Sequence, residues 1–500
     1  MKHKILSLAF ITGLMVSGCK KNFLDINENP NTATFSTPQL TMPIALEGAA
    51  RYSQTSYIGG LGMWVGYYAT SSGFAKPAET YSYDISNTYL AGVWDNLYNN
   101  ITDFDYVEAK AKEQNLPVYE AISKVMKAYD YHQLVDLWGN VPYTEAIQGS
   151  VNFTPKYDNG QLIYEDLVKK IDSAIIIFKK ASTAGTVSIA TDKAKIILFG
   201  NLLTAGSTAS VTTFLNRWVK FSNTLKLKLL IQQSQIPGRD AYIKPLLAGL
   251  TRADFLDLGE DATQDPGYSN TTGKFNPFYG VFYSSVGTLS DTYKSTKASD
   301  YGVKAYLNTN DPRISFYYDK GAAATYIGSI FGDPAGVAAA SIGTGLLVPN
   351  APATVFTASE SLFLQAEAVQ RGYLTGTAKT LYQDAVTSSF TFDKVATPAA
   401  AAATYYGQSN ADVNWDITTD KIKLIITQKW FALNSIDILA VYNDYRRTGF
   451  PVVPLSIDAA SKGKVPIRLL YPQRETNLNT ANVVSQGTID PLNTAVFWDK

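Results

Sequence analysis

Apolar and polar residues alternate along this chain with a helical period. Apolar positions recur every three or four residues over 41–57, 90–115, 119–138, 161–181, 192–204 and 210–234, as in a helix with one buried face. In the last of these Phe214, Trp218, Phe221, Leu225 and Leu229 fall on one side. The same spacing predicts helices over 352–371, 377–390 and 418–443, and Pro117, Pro142 and Gly372 stand where helices should stop. Short connections pair 90–115 with 119–138, 161–181 with 192–204, and 356–371 with 377–390.

Such pairs are similar to tetratricopeptide-like hairpins, although no sequence repeat is visible. Stacked hairpins form a superhelix with a continuous core and one broad free face. The fold expected is therefore mainly α, an α-helical superhelix of paired helices with long loops and a few short strands. It forms a single domain over 44–500. Between the helical blocks, 71–89, 259–297 and 322–350 are rich in Gly, Ser, Thr, Ala and aromatic residues. These loop-rich insertions, near 71–89 and 259–350, are where binding is expected. The alanine run 399–403 is expected to be an exposed spacer.

The N-terminus carries a targeting pattern. Met1, Lys2, His3 and Lys4 form a positive start, and 5–16 is an apolar stretch of 12 residues. A bilayer span needs about 20 apolar residues, so this is a signal peptide over 1–18. Val16, Ser17, Gly18 and Cys19 match a bacterial lipobox, with small residues before the thiol that receives the lipid. Residues 19–43 then read as a polar, lipid-anchored leader. Acyl chains contribute about 0.8 kcal/mol per buried methylene, so two or more anchor stably. Asp25, Asn27 and Asn29 open like a calcium loop, but Pro30 and Ser36 occupy the positions that require Gly and Glu; turn formation is the better reading.

Composition narrows the chemistry. The chain has 43 basic and 43 acidic residues; without 1–18, which holds Lys2 and Lys4, it keeps 41 and 43. No cationic field exists to draw nucleic acid. Cys19 is the sole cysteine and His132 the sole histidine beyond the leader. That leaves no disulfide, no internal thiol nucleophile and no His pair for zinc. No metal and no cofactor is expected. Tyr (32) outnumbers Phe (23), which suits half-exposed recognition surfaces because the ring is apolar and the hydroxyl polar.

Several motifs resemble the SusD/RagB family of outer-membrane lipoproteins. They run in order from Phe23-Leu24-Asp25 and Asn29-Pro30-Asn31, through the turn at 137–146 and the helix beginning Trp218-Val219-Lys220-Phe221, to Asn310-Asp311-Pro312-Arg313. They continue with the helix at 356–368, Gln428-Lys429-Trp430, the segment 443–451, and finally Arg468, Tyr471-Pro472, Glu475 and Asn477. The resemblance implies a lipid anchor at Cys19 on the surface of a Gram-negative outer membrane. It also implies a SusC-like TonB-dependent barrel as partner and capture of oligosaccharides for import. A peptide-binding RagB-like receptor is the alternative, and a surface glycoside hydrolase a weaker one.

The candidate ligand-contacting residues are loop aromatics, Phe74, Tyr81 and Tyr83 in the first insertion and Phe275, Phe278 and Tyr279 in the second. Their flat faces suit the C–H faces of sugars, and equally apolar peptide side chains. Trp64, Tyr67 and Tyr68, at helical spacing, read as core. Trp138 and Tyr143 read as a fixed turn in preference to a ligand site, Arg446 and Arg447 as a helix-end lock, and His132 as a packed or surface histidine. Glycoside hydrolysis needs two carboxyl groups about 5–10 Å apart. Glu360 with Glu367 lies in a packing helix, and Asp254, Asp257, Glu260, Asp261 and Asp265 read as solvated loop acids. No catalytic residue is assigned, and the chain is not expected to be an enzyme.

Overall fold

The computed structural model of the protein describes residues 36–184, 187–321 and 323–499. Cys19 and the Asp25–Asn29 segment lie outside them. The amphipathic segments form helices Pro38–Thr55, Ala91–Glu113, Pro117–Trp138, Gly160–Thr183 and Thr208–Gln232, each packed on the next in this order. Local chemistry sets their ends. Pro117 starts its helix where its missing N–H is not needed. The Asn159 side chain accepts from the Gln161 and Leu162 amides, and Ser207 from that of Ser210. Gly139, at φ +79°, turns the chain out of the Pro117–Trp138 helix. Just before it Trp138 stays buried and donates to the Leu470 carbonyl at 2.9 Å.

A second stack follows. Ala358–Gln370 packs on Ala378–Phe392, which packs on Pro398–Tyr406, while Lys421–Ala432 closes against Ala358–Gln370. The Thr208–Gln232 helix joins the two stacks through Ala358–Gln370. The strands are short antiparallel pairs: Tyr68–Thr70 with Thr296–Ala298, Val141–Pro142 with Tyr157–Asp158, Ala262–Gln264 with Ala353–Phe356, and Tyr318–Asp319 with Ser341–Ile342. The expected mainly α architecture of paired helices and few strands is observed. Among the described residues no helix is long and apolar enough to cross a membrane.

The core holds a ladder of buried charges. Lys228 Nζ lies 2.9 Å from Glu360 and 2.8 Å from Asp437. Lys429 meets Asp444 at 3.1 Å. Arg447 reaches both Glu367 oxygens, at 2.5 and 2.9 Å, and Asp444 at 2.8 Å. Arg371 contacts Glu367 at 2.8 Å. Burial alone would raise the Glu367 carboxyl, but Arg447 and Arg371 outweigh it and hold the group at about 2. The arginine pair 446–447 and the acids Glu360 and Glu367 thus lock helices together. His132 is also internal, and burial pushes its imidazole down to about 3, so it is neutral.

Four sequence expectations are corrected. The helix expected over 352–371 begins only at Ala358, capped by Thr357, because Ala353–Phe356 pairs as a strand with Ala262–Gln264. Residues 192–204 form no α-helix. The Ile196–Phe199 run is apolar on every side, so it buries as irregular chain: Leu198 bridges to Gln264, and Phe199, at φ +62°, turns the chain away. The Gly160–Thr183 helix therefore pairs with Thr208–Gln232 instead. Residues 418–443 do not make one helix but belong to two, Lys421–Ala432 and Ile438–Thr448. The break contains Ser435 at φ +63°, and Asp437 caps the second helix by accepting from the Ala440 amide. The alanine run lies within the Pro398–Tyr406 helix, which buries Ala402 and Tyr405, so it is part of the scaffold and not a spacer.

Candidate functional site

The two aromatic insertions meet at a strand pair. Tyr68–Thr70 and Thr296–Ala298 run antiparallel, with Thr70 opposite Thr296, and the Ser71 amide donates to the Ser295 carbonyl at 2.8 Å. The first insertion leaves this pair at residue 71; the second enters it through the short helix Asp291–Ser295. Sequence separation of more than two hundred residues is closed here by three strand positions.

The second insertion builds a row of rings. Asn276 caps the helix Pro277–Phe282 by accepting from the Phe278 and Tyr279 amides, and its Nδ2 donates to the Ala351 carbonyl at 2.9 Å. Tyr279 and Tyr283, one helical turn apart, stack with centroids 4.1 Å apart and planes 4° from parallel. Phe275 meets Tyr279 edge-on at 5.0 Å, and Tyr293 lies 6.5 Å from Tyr283. Lys297 sits 5.2 Å over the Tyr293 ring and donates to Ser341 Oγ at 2.7 Å; burial lowers its ammonium from the ordinary lysine value. Phe275, Tyr283 and Tyr293 are half-buried, so each keeps ring surface for a ligand. Ser284, Ser285 and Thr288 supply hydroxyl and carbonyl groups beside them.

The six residues singled out from sequence separate on this framework. Phe74 and Phe275 are half-buried. Tyr279 is 8% exposed and serves as the inner member of the stack. Tyr81 and Tyr83, at 1%, and Phe278, at 4%, are core. Tyr81 accepts from the Thr70 amide at 3.1 Å and Tyr83 from the Ser456 amide at 2.9 Å, and both pack on Phe331. Burial raises the Tyr83 phenol to about 12. These hydroxyls brace backbone, which turns their rings away from the surface. Tyr293 and Lys297 were not singled out; the signal for them is the Ser290 cap that opens a helical turn directly before the strand.

The acids of segment 254–265 are engaged in caps, turns and ion pairs. Asp254 makes a capping box with Thr251, Asp257 pairs with Arg252 at 2.6 Å, and Asp261 accepts from the Ala358 amide at 2.8 Å. Glu260 pairs with Lys220 at 2.8 Å, and Asp265 accepts from Gly267 and Tyr268. No three of His, Cys, Asp and Glu converge as a metal centre would need among the described residues. Tyr143 donates to Asp166 at 2.6 Å and accepts from Lys170 at 2.7 Å, a framework arrangement.

Residues 62–472 match the profile of a SusD-like family described as starch-binding and associating with the outer membrane. The chain belongs to that SusD-like family. The match takes in both insertions and nearly all of the helical scaffold. The fold of this SusD-like protein is similar to that of a chitin-binding SusD homologue from Flavobacterium johnsoniae, with 22% identity and a TM-score of 0.73 over 92% of this chain and 98% of that one. It is also similar to a SusD-like protein from Bacteroides thetaiotaomicron, with 23% identity and a TM-score of 0.71 over 92% and 98%. A SusD homologue from Bacteroides fragilis has 20% identity and a TM-score of 0.70 over 93% and 100%. At such identities these likenesses establish the shared fold. No curated protein matches the chain.

Proposed function

We propose that this protein is a lipid-anchored receptor on the outer-membrane surface, tethered through Cys19. It captures oligosaccharides and passes them to a SusC-like TonB-dependent barrel. The observation that carries this reading is the row Phe275, Tyr283 and Tyr293, half-buried and mounted on the strand pair that joins the two insertions. Sugar rings present C–H faces that stack on such rings, while hydroxyls and Lys297 meet the hydroxyl rims. Ring–ring contacts contribute about 0.5–1.5 kcal/mol each, and a sugar face on one ring adds a contact of that modest order, so a row of rings gives useful affinity only to an oligomer that spans it. The protein acts by binding and positioning; no bond is made or broken. The acids at 254–265, held in caps, turns and ion pairs, support that reading.

Chitin leads the choice of ligand because a similar structure is described as chitin-binding, and starch follows from the family's description. The test is retention of the full-length protein on insoluble chitin and on starch, with release by soluble chito- or malto-oligosaccharide. Retention on one of them, released by its own oligomer, is expected. Passage through both columns without delay would overturn the saccharide reading.

A further inference from the structure

A concavity of about 700 Å³ shares no lining residue with the aromatic row. Small-molecule sites commonly span about 300–1,000 Å³. Its walls come from four separate parts of the chain: the start of the Pro38–Thr55 helix at Pro43, the irregular segment 191–201, the end of the Ala262–Gln264 strand with the turn after it, and Pro352. The turn is held firmly, because Asp265 Oδ1 accepts from the Gly267 and Tyr268 amides at 2.8 and 2.9 Å. The same Pro38–Thr55 helix also supports the Pro277–Phe282 helix of the ring row, so one rigid element carries both features.

The lining has a definite chemistry. Lys193 and Asp265 place one charge of each sign at the cavity, which favours neither an anion nor a cation. Asn201 and Thr263 offer an amide and a hydroxyl, and Pro43, Ile197, Pro266 and Pro352 supply aliphatic surface. No aromatic ring lines it, so it is not a stacking platform. Gln264, 1% exposed, forms part of the wall. Its Nε2 donates to the Leu46 carbonyl at 2.8 Å, which ties the strand end to the Pro38–Thr55 helix and fixes that wall. A neutral, polyhydroxylated molecule matches this mixture: hydroxyls for the amide and hydroxyl groups, C–H faces for the prolines.

We propose that this cavity is a second saccharide-binding site, independent of the aromatic row and selective for neutral sugars one to a few rings long. The proposal rests on the reading of the protein as a saccharide receptor, but uses none of the same residues. The test is a crystal of the full-length chain soaked in chitotetraose or maltotetraose, with titrations of two variants in solution. Ala194→Trp fills the cavity from an exposed position; Tyr283→Ala with Tyr293→Ala strips the row. Expected is sugar density in the cavity touching Asn201 and Thr263, residual binding by the row-stripped variant, and a further loss of at least about ten-fold in affinity when Ala194→Trp is added. Asn201→Ala, a gentler change, should weaken the same component. Density on the row alone, with Ala194→Trp binding as wild type, would overturn the second site and leave the receptor reading intact. Density in the cavity alone would uphold the second site and contradict the row. Neither site filled, and no binding in solution, would overturn both.

Discussion

Two insertions in this protein carry tyrosines at short spacing, and the fold uses them in opposite ways. In the first, Tyr81 and Tyr83 turn inward, pack on Phe331 and give their hydroxyl oxygens to the amides of Thr70 and Ser456. In the second, Tyr283 and Tyr293 stay half-buried and meet other rings. The residue type is the same; the difference is whether a backbone donor lies within reach of the phenol. A tyrosine that braces an amide is fixed by the core, whereas one that only stacks keeps a face for something else. Aromatic density along a sequence therefore locates a region of interest without saying which rings face outward.

The comparison is broken most readily from the core side. Arg447→Leu removes the cation shared by Glu367 and Asp444 and leaves both carboxylates buried; loss of one partner of a buried pair costs about 3–5 kcal/mol. Tyr83→Ala empties a fully buried aromatic site at a similar cost of about 3–5 kcal/mol. Urea unfolding followed by circular dichroism should register both as large drops in midpoint. If Tyr83→Ala unfolds at the wild-type midpoint, the division between the two insertions fails.

Asp130 gives a smaller effect of opposite sign. Burial raises its carboxyl well above the ordinary value, and Asn100 Nδ2 donates to its Oδ2 at 2.8 Å. A raised folded-state pKa means full stability below the unfolded value and loss as pH rises toward the folded one. Asp130→Asn keeps the Asn100 contact without that penalty. The variant should therefore melt higher than wild type at pH 7, by the equivalent of about 1–3 kcal/mol, and the gap should close near pH 4. A gap that is constant with pH would show that Asp130 is not protonated in the folded protein. Smallest of all, Tyr283→Ala should change unfolding stability by less than about 1 kcal/mol, since the ring is already half in water.

Much of the scaffold was legible because helical periodicity is local. The helices around 41–57, 90–115, 119–138, 161–181 and 210–234 appear within a few residues of their predicted bounds. The failures have non-local causes. Ile196–Phe199 is not helical because Leu198 bridges to Gln264, far along the chain. The alanine run is helical because Ala402 and Tyr405 find a core made by other helices. In the site, residues 275–283 were recognisable from their aromatic content. That Phe278 points inward and Tyr283 outward follows from how the Asn276-capped helix docks, and Tyr81 and Tyr83 are buried by Phe331 and the backbone at 456, which no local pattern around residue 81 announces.

On the proposed function, the outward-facing rings of the second insertion hold the ligand while the inward-facing tyrosines hold the fold. This claim is tested most directly by isothermal titration of the full-length protein and its Phe275→Ala, Tyr283→Ala, Tyr293→Ala triple variant with the oligosaccharide that elutes the wild type from its column. The row's share of the binding should fall by at least about a hundred-fold in affinity, with far-UV circular dichroism and melting temperature nearly unchanged. A triple variant that binds with the wild-type dissociation constant would contradict the claim.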